Sequence, residues 1–236
     1  MKIRFIKSSY EIDMLGQTGI EKLKHIEKVA RLCYKTEDRI TDTSYEALIR
    51  HLIKNGHTAM LEFASFAVKF IASRAFTHEL VRHRIASFAQ ESQRYVGYGD
   101  CIEFIIPSWC NIEPFEVEVP DDGRSKKLLE DLHHIVALKN GVYDSTPDEL
   151  CPDYIWAYSC VTSAQHYCSL LKNGWRPEQA RDVLPNAAKT EIWINTNFRS
   201  WMNVEELRDA NTASPQMREL MNPLFNDLRK MIPGVF

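Results

Sequence analysis

The stretch 63-FASFAVKFIASRAFTHELVRHR-84 decides how the chain folds, because its character changes partway along. Phe63, Phe66, Val68 and Phe70 lie in a run through Ile71 whose aromatic and β-branched side chains suit a pleated, half-buried surface. Ser73 stands where a helix N-cap belongs, with a hydroxyl able to accept from a free N–H of the first turn, so a helix is expected through about Arg82. A strand that feeds directly into a helix points to a mixed architecture.

Outward from this unit the pattern continues. Residues 1–8 alternate Ile3 and Phe5 with Lys2, Arg4 and Lys7, which predicts a strand with one buried face. Over 19–34, Ile20, Leu23, Ile26, Val29, Ala30 and Cys33 recur at helical spacing. Thr43 with Glu46 matches a capping box for a second helix, which Gly56 would stop. Residues 85–100 have neither period and read as an ordered loop, before a short strand at 104–106. Asp121-Asp122-Gly123 reads as a turn, and 125–139 and 153–172 as amphipathic helices, the second stopped by Asn173-Gly174. Pro177 suits the first position of a short helix ended by Pro185. Residues 190–196 have strand character and 199–208 helical character, and Pro215 opens a last helix towards Met231. The expected fold is α+β, a single domain over residues 1–236 with a mixed β-sheet packed by helices.

Composition bounds the function. With 44% hydrophobic and 26% charged residues the chain has enough apolar surface to fold, and its net charge of −3 argues against a general nucleic-acid binder. No apolar run approaches the roughly 18 residues of a membrane span, and the apolar start is too short for a signal peptide, so a cytoplasmic location away from membranes is expected. The six cysteines, at 33, 101, 110, 151, 160 and 168, form no Cys-x-x-Cys pair and read as buried thiols, with no metal site expected.

Two nucleotide signatures are excluded. Gly97-Tyr98-Gly99 lacks a third glycine where Ile102 stands, and no Gly-Lys-Ser/Thr occurs. His78-Glu79 and His83 do not make a zinc-protease pair, because a spacing of five turns the histidines about 140° apart on a helix. What remains is the segment from Arg82-His83-Arg84 through Gln90-Glu91-Ser92-Gln93-Arg94-Tyr95. Adjacent Arg82 and Arg84 repel unless anions lie between them or Glu79 and Glu91 pair with them.

Here the chain resembles the flavin-dependent thymidylate synthases. Their signature is Arg-His-Arg, seven intervening residues and Ser, met by Arg82-His83-Arg84 and Ser92. A second match is Ala180-Arg181-Asp182-Val183-Leu184-Pro185 followed by Asn197-Phe198-Arg199-Ser200, Asn203 and Leu207-Arg208, and a third is Gly56-His57 with Glu62. The chain departs from the pattern at Ala59, often Ser or Thr, at Phe63, often His, and over 212–216, where many members carry a histidine.

The resemblance implies the fold of the thymidylate-synthase-complementing proteins and reductive methylation of dUMP to dTMP. FAD is the implied cofactor, with NADPH and 5,10-methylenetetrahydrofolate as co-substrates, in a homotetramer with shared sites. It implies dUMP contacts from Glu79, Leu80, Val81 and Arg82, from Gln90, Glu91, Ser92, Gln93 and Arg94, and from Arg181 and Arg208. FAD contacts are implied for Arg82, His83, Arg84, Gln90, Asn197, Phe198, Arg199 and Asn203. Arg208 and Ser92 are the implied catalytic residues, Arg208 by drawing charge from uracil N3 and Ser92 by lying nearest the pyrimidine.

These residue types suit that reaction. Carbon–carbon bond formation at uracil C5 needs electron density there, which a thiol could supply by adding to C6. Fixed positive charge near N3 supplies it otherwise, and arginine keeps its proton when buried. At 3 Å and an effective dielectric of 20, a guanidinium is worth about 5 kcal/mol towards a full negative charge, before desolvation. Two other functions fit the residues less well: a nucleotide- or RNA-binding module stacking bases on Phe88, Tyr95 and Tyr98, and a cysteine-dependent methylase using Cys160 or Cys168.

Overall fold

The structure, a computed structural model, describes residues 1–119, 136 and 152–236. The turn expected at Asp121-Asp122-Gly123 lies outside the described residues, as does the helix expected over 125–139 apart from Val136. By internal contact the chain forms two compact units: Met1–Ser8, Ile71–His78 and Gln90–Glu191 in the first, and Ser9–Phe70, Glu79–Ala89 and Ile192–Phe236 in the second.

The first unit is built on a three-stranded sheet. Strand β1 (Lys2–Ile6) lies between β5 (Cys101–Ile105) and β6 (Phe115–Glu118), parallel to β5 and antiparallel to β6. The register places Ile3 beside Ile102 and Val117, and Phe5 beside Phe104 and Phe115, so the alternation read over 1–8 puts its apolar set on one face. That face meets helix α4 (Pro152–Lys172), whose Ala157, Val161 and Ala164 are fully buried. Phe5 stacks on Phe115 at 4.4 Å and meets Trp156 edge-on at 5.5 Å. Gly174, at φ 88°, turns the chain away after α4 where Asn173-Gly174 predicts. Helix α5 (Pro177–Ala180) follows with Pro177 in its first turn.

The second unit opens on β2 (Ser9–Asp13), where Tyr10 and Ile12 alternate with exposed Ser9, Glu11 and Asp13, a period-two pattern too short to stand out in the sequence. Helix α1 (Gly19–Leu32) is closed by a full capping box, Thr18 Oγ1 accepting from Glu21 N and Glu21 Oε2 accepting from Thr18 N at 2.7 Å. The box expected at Thr43 does not form. Thr43 precedes α2 (Ser44–Lys54), but at φ −125°, ψ 0° it lacks the extended geometry that aims a hydroxyl at the helix, and its side chain makes no capping bond.

Strand β3 (Ser65–Ser73) and helix α3 (Arg74–Leu80) realise the opening stretch, with Ser73 Oγ accepting from Phe76 N at 3.2 Å. A four-stranded sheet runs β2-β3-β7-β4, with β7 at Lys189–Asn197 and β4 at Ser87–Gln90. The loop expected over 85–100 therefore contains a strand. Its edge position leaves Ser87 to Gln90 alternating between exposed and half-buried, which gives no apolar run to read.

Helices α6 (Phe198–Arg208) and α7 (Pro215–Met231) complete this unit. Phe66 stacks on Trp201 at 4.8 Å, and Trp201 Nε1 donates to the Phe66 carbonyl at 3.3 Å. The α1 start tolerates no side chain: a Cβ at Gly19 would lie 1.9 Å from the Met231 carbonyl oxygen. Among the described residues no helix is long and apolar enough to cross a membrane.

Candidate functional site

His83 of the Arg82–Arg84 segment, Glu79 and Arg208 of α6 meet in the second unit. Arg208, in the last turn of α6, donates from Nε to His83 Nε2 at 2.8 Å, from Nη1 to Glu79 Oε2 at 2.8 Å and from Nη2 to the Glu79 carbonyl at 3.1 Å. Ser214 Oγ holds the other Glu79 oxygen at 3.1 Å. The side chain of Arg208 is 20% exposed. A guanidinium carries five N–H donors, so the three used here leave two for a ligand.

The partners of Arg208 fix the chemistry of His83. To accept from Arg208, Nε2 must be unprotonated, which places the ring proton of the neutral imidazole on Nδ1. Burial, and next the Arg208 charge, push the His83 pKa down to about 4. His83 is thus a neutral acceptor at ordinary pH. Arg208 does not pair with the neighbouring Glu205 or Asp209; both of those meet Arg229 instead.

The other residues of this unit expected to hold a flavin differ in their settings. Arg199 and Asn203 line a cavity of about 440 Å³ with Thr58, Met202, Glu205 and Glu206, and Arg199 pairs with Glu62 at 2.6 Å, joining two of the motif matches. Arg84 turns back onto its own chain, Nη1 donating to the Val81 and His83 carbonyls at 2.9 and 3.0 Å. The exposed Arg82 guanidinium makes no hydrogen bond or ion pair among the described residues. Asn197 caps α6 by accepting from Ser200 N at 2.8 Å, while Phe198 and Leu80 are fully buried and present no side-chain surface. Arg199 and Asn203 give their cavity N–H donors of the kind FAD's phosphates and ring acceptors take, alongside the carboxylates of Glu205 and Glu206. A second, more apolar cavity of about 310 Å³ is lined by Ala30, Cys33, Tyr34, Leu52, His57, Ala59 and Met60.

The first unit holds the Gln90–Arg94 segment and Arg181. Gln90 Nε2 donates to Thr77 Oγ1 at 3.0 Å and to Thr190 Oγ1 at 3.2 Å. Glu91 accepts from Tyr98 Oη at 2.9 Å on one oxygen and from Lys189 Nζ at 3.4 Å on the other. Ser92 Oγ accepts from Arg94 N at 3.3 Å. Gln93 is buried, and Arg94 faces Glu178 at 3.7 Å and lies over the Tyr95 ring at 5.4 Å.

Arg74 joins these although nothing in the sequence reading singles it out. Burial and then Arg181 lower its pKa, while Tyr98 and Glu91 oppose the shift. Neither Arg74 nor Arg181 makes an ion pair among the described residues, and the two like charges interact within one unit. A signal was available: Arg74 opens α3, where the helix dipole disfavours a cation.

Of the cysteines expected to be buried, Cys110 and Cys160 are, while Cys101 and Cys168 are half-buried and Cys33 is exposed. Desolvation pushes the buried Cys160 thiol up to about 12 and also raises Cys168, so neither is a thiolate near neutral pH. The five described cysteines are free, and among the described residues no group of three His, Cys, Asp or Glu could hold a metal.

Several known proteins are similar to this chain. A flavin-dependent thymidylate synthase of Corynebacterium efficiens is 33% identical over 228 residues, covering 92% of this chain and 79% of that protein. One from Clostridium tetani is 32% identical over 224 residues, covering 90% and 80%. The crystal structure of a UMP/dUMP methylase, PolB from Streptomyces cacaoi, bound with 5-Br dUMP, superposes with a TM-score of 0.66 at 21% identity, covering 98% of this chain and 94% of that one. That likeness shows the shared fold. The model of the thymidylate synthase complementing proteins matches residues 15–234, and the chain belongs to that family.

Proposed function

We propose that the chain is a flavin-dependent thymidylate synthase, methylating dUMP to dTMP with 5,10-methylenetetrahydrofolate as carbon donor and NADPH as reductant. The observation that carries this is Arg208, aimed by His83 and Glu79 with two N–H groups to spare. Those donors suit the O4–N3–O2 edge of uracil, where negative charge gathers as C5 becomes nucleophilic. Glu79 stands against the guanidinium, so its help to the base comes from directed N–H groups more than from a bare charge.

The phosphate end of dUMP is assigned to Arg94, Arg181 and Arg74, since charge-assisted bonds to phosphate are worth about 1.5–3 kcal/mol each. Glu79, Leu80, Val81 and Arg82 flank the nucleotide, and Gln90, Glu91, Ser92 and Gln93 form its loop. Ser92 acts by orientation: its oxygen already accepts from Arg94 N, and no base activates it among the described residues.

Arg82, His83, Arg84, Gln90, Asn197, Phe198, Arg199 and Asn203 are assigned to FAD, with Phe198 contributing through its backbone because its ring is buried. FAD, once reduced, supplies the hydride. Sites shared within a homotetramer let different subunits contribute to one nucleotide. Anaerobic incubation of the protein with dUMP, methylenetetrahydrofolate, FAD and NADPH is expected to yield dTMP. A preparation that binds flavin by absorbance yet makes none overturns the proposal.

A further inference from the structure

Lys189 lies among three carboxylates of the first unit. Its Nζ lies 2.7 Å from Glu191 Oε1, 3.4 Å from Glu91 Oε2 and 3.7 Å from Glu103 Oε2, and its side chain is 13% exposed. Of its three donors, two are hydrogen-bonded to Glu191 and Glu91, and Glu103 adds its charge from beyond hydrogen-bond reach. Desolvation works to lower its pKa, but the carboxylates outweigh that and raise it, so the charge persists through neutral pH. Without it, three carboxylates would face one another in a shielded place, where like charges about 4 Å apart repel strongly.

Of these carboxylates, Glu91 belongs to the segment assigned to dUMP, and it is pinned on every side. Lys189 and Tyr98 hold its two oxygens, and its N–H donates to the Glu191 carbonyl at 2.9 Å. Tyr98 is anchored in turn by its N–H on Tyr167 Oη at 3.3 Å. Immediately after Glu91 the chain turns, the Ser92 carbonyl accepting from Tyr95 N at 3.2 Å and Val96 N at 2.9 Å. The placement of that turn, with Ser92 and Arg94 on it, is therefore set by where Glu91 is held.

We infer that Lys189 is a positioning residue for substrate: it anchors Glu91 and so presents the Ser92–Arg94 turn to the phosphate end of dUMP. This rests on the reading that Gln90–Arg94 binds dUMP. Glu91 serves as an anchor, since both of its oxygens are already engaged.

The test uses the FAD-loaded enzyme, with dUMP affinity read from the change in flavin absorbance on titration and turnover measured beside it. K189M is expected to weaken dUMP binding and raise its KM about 10-fold, with a smaller fall in kcat and FAD affinity within 2-fold of the parent. K189R is expected to restore dUMP affinity to within about 3-fold. In an E91Q background, adding K189M is expected to change dUMP affinity by less than 2-fold, because the anchor is already cut. An undiminished effect there, or no effect of K189M in the parent, overturns the inference. If K189M does not fold, K189Q/E191Q, which keeps the net charge, replaces it with the same expectations. R94Q separates the two ideas: if it leaves dUMP affinity unchanged, the loop assignment fails; if it weakens binding while K189M does not, only the role of Lys189 fails.

Discussion

Arg208 in the second unit and Lys189 in the first are both shielded cations held by glutamates, yet they are built differently. Arg208 has one carboxylate, one carbonyl and one neutral imidazole, each on a separate nitrogen, so its plane is fixed in direction and part of its donor fork stays free. Lys189 meets three carboxylates with a compact charge that has no fixed plane. Arginine is placed where direction matters, and lysine where neutralisation does.

The sharpest way to break this comparison is to exchange the side-chain types. Arg208→Lys keeps the charge and loses the fork, so it is expected to lower kcat by about 100-fold or more, the scale of removing a donor aimed at developing charge. Flavin absorbance should show FAD still bound, and stopped-flow dTMP formation measures the loss. Near-parental turnover in Arg208→Lys would mean that charge alone suffices and that the contrast with Lys189 is empty.

A second effect lies in pH. Because His83 titrates near 4 when folded and near 6.5 when unfolded, the unfolded chain takes up a proton that the folded one refuses as pH falls through this window. Stability is therefore full above about 6.5 and drains towards 4. The upper bound is about 3 kcal/mol, reduced by whatever solvent screens the ring. His83→Gln, which offers an acceptor and does not titrate, is expected to flatten the fall in urea-unfolding free energy between pH 7 and 4.5. An unaltered slope would locate the acid sensitivity elsewhere.

The smallest effect probes the support behind Arg208. Ser214→Ala removes one hydrogen bond to Glu79 and is expected to cost about 1 kcal/mol of stability, measured by thermal or urea unfolding, with a few-fold fall in kcat. A fall as large as that of Arg208→Lys would make Glu79, rather than the arginine, the critical group.

Much of the fold was legible because local chemistry dictated it. Ser73 caps α3 through its hydroxyl, Pro215 opens α7 through its ring, and Gly56 and Gly174 sit at positive φ beyond α2 and α4, where the lack of a Cβ permits it. The edge strand β4 and the failed cap at Thr43 were not, since sheet pairing decided the first and backbone angles the second. At the candidate site the motif arginines stood out. Lys189 did not, because along β7 it looks like any polar strand residue and its partner Glu91 is 98 positions away. Arg74 was missed for want of weighing a cation against the dipole of the helix it begins.

The contact between Gly19 and Met231 has a consequence for variation. With no room for even a methyl group, the start of α1 and the end of α7 are registered to atomic tolerance, so α7 cannot absorb an added residue by sliding along its axis. Substitutions in α7 are therefore freer than changes in its length, and Gly19→Ala should force the two helices apart wherever that length is kept.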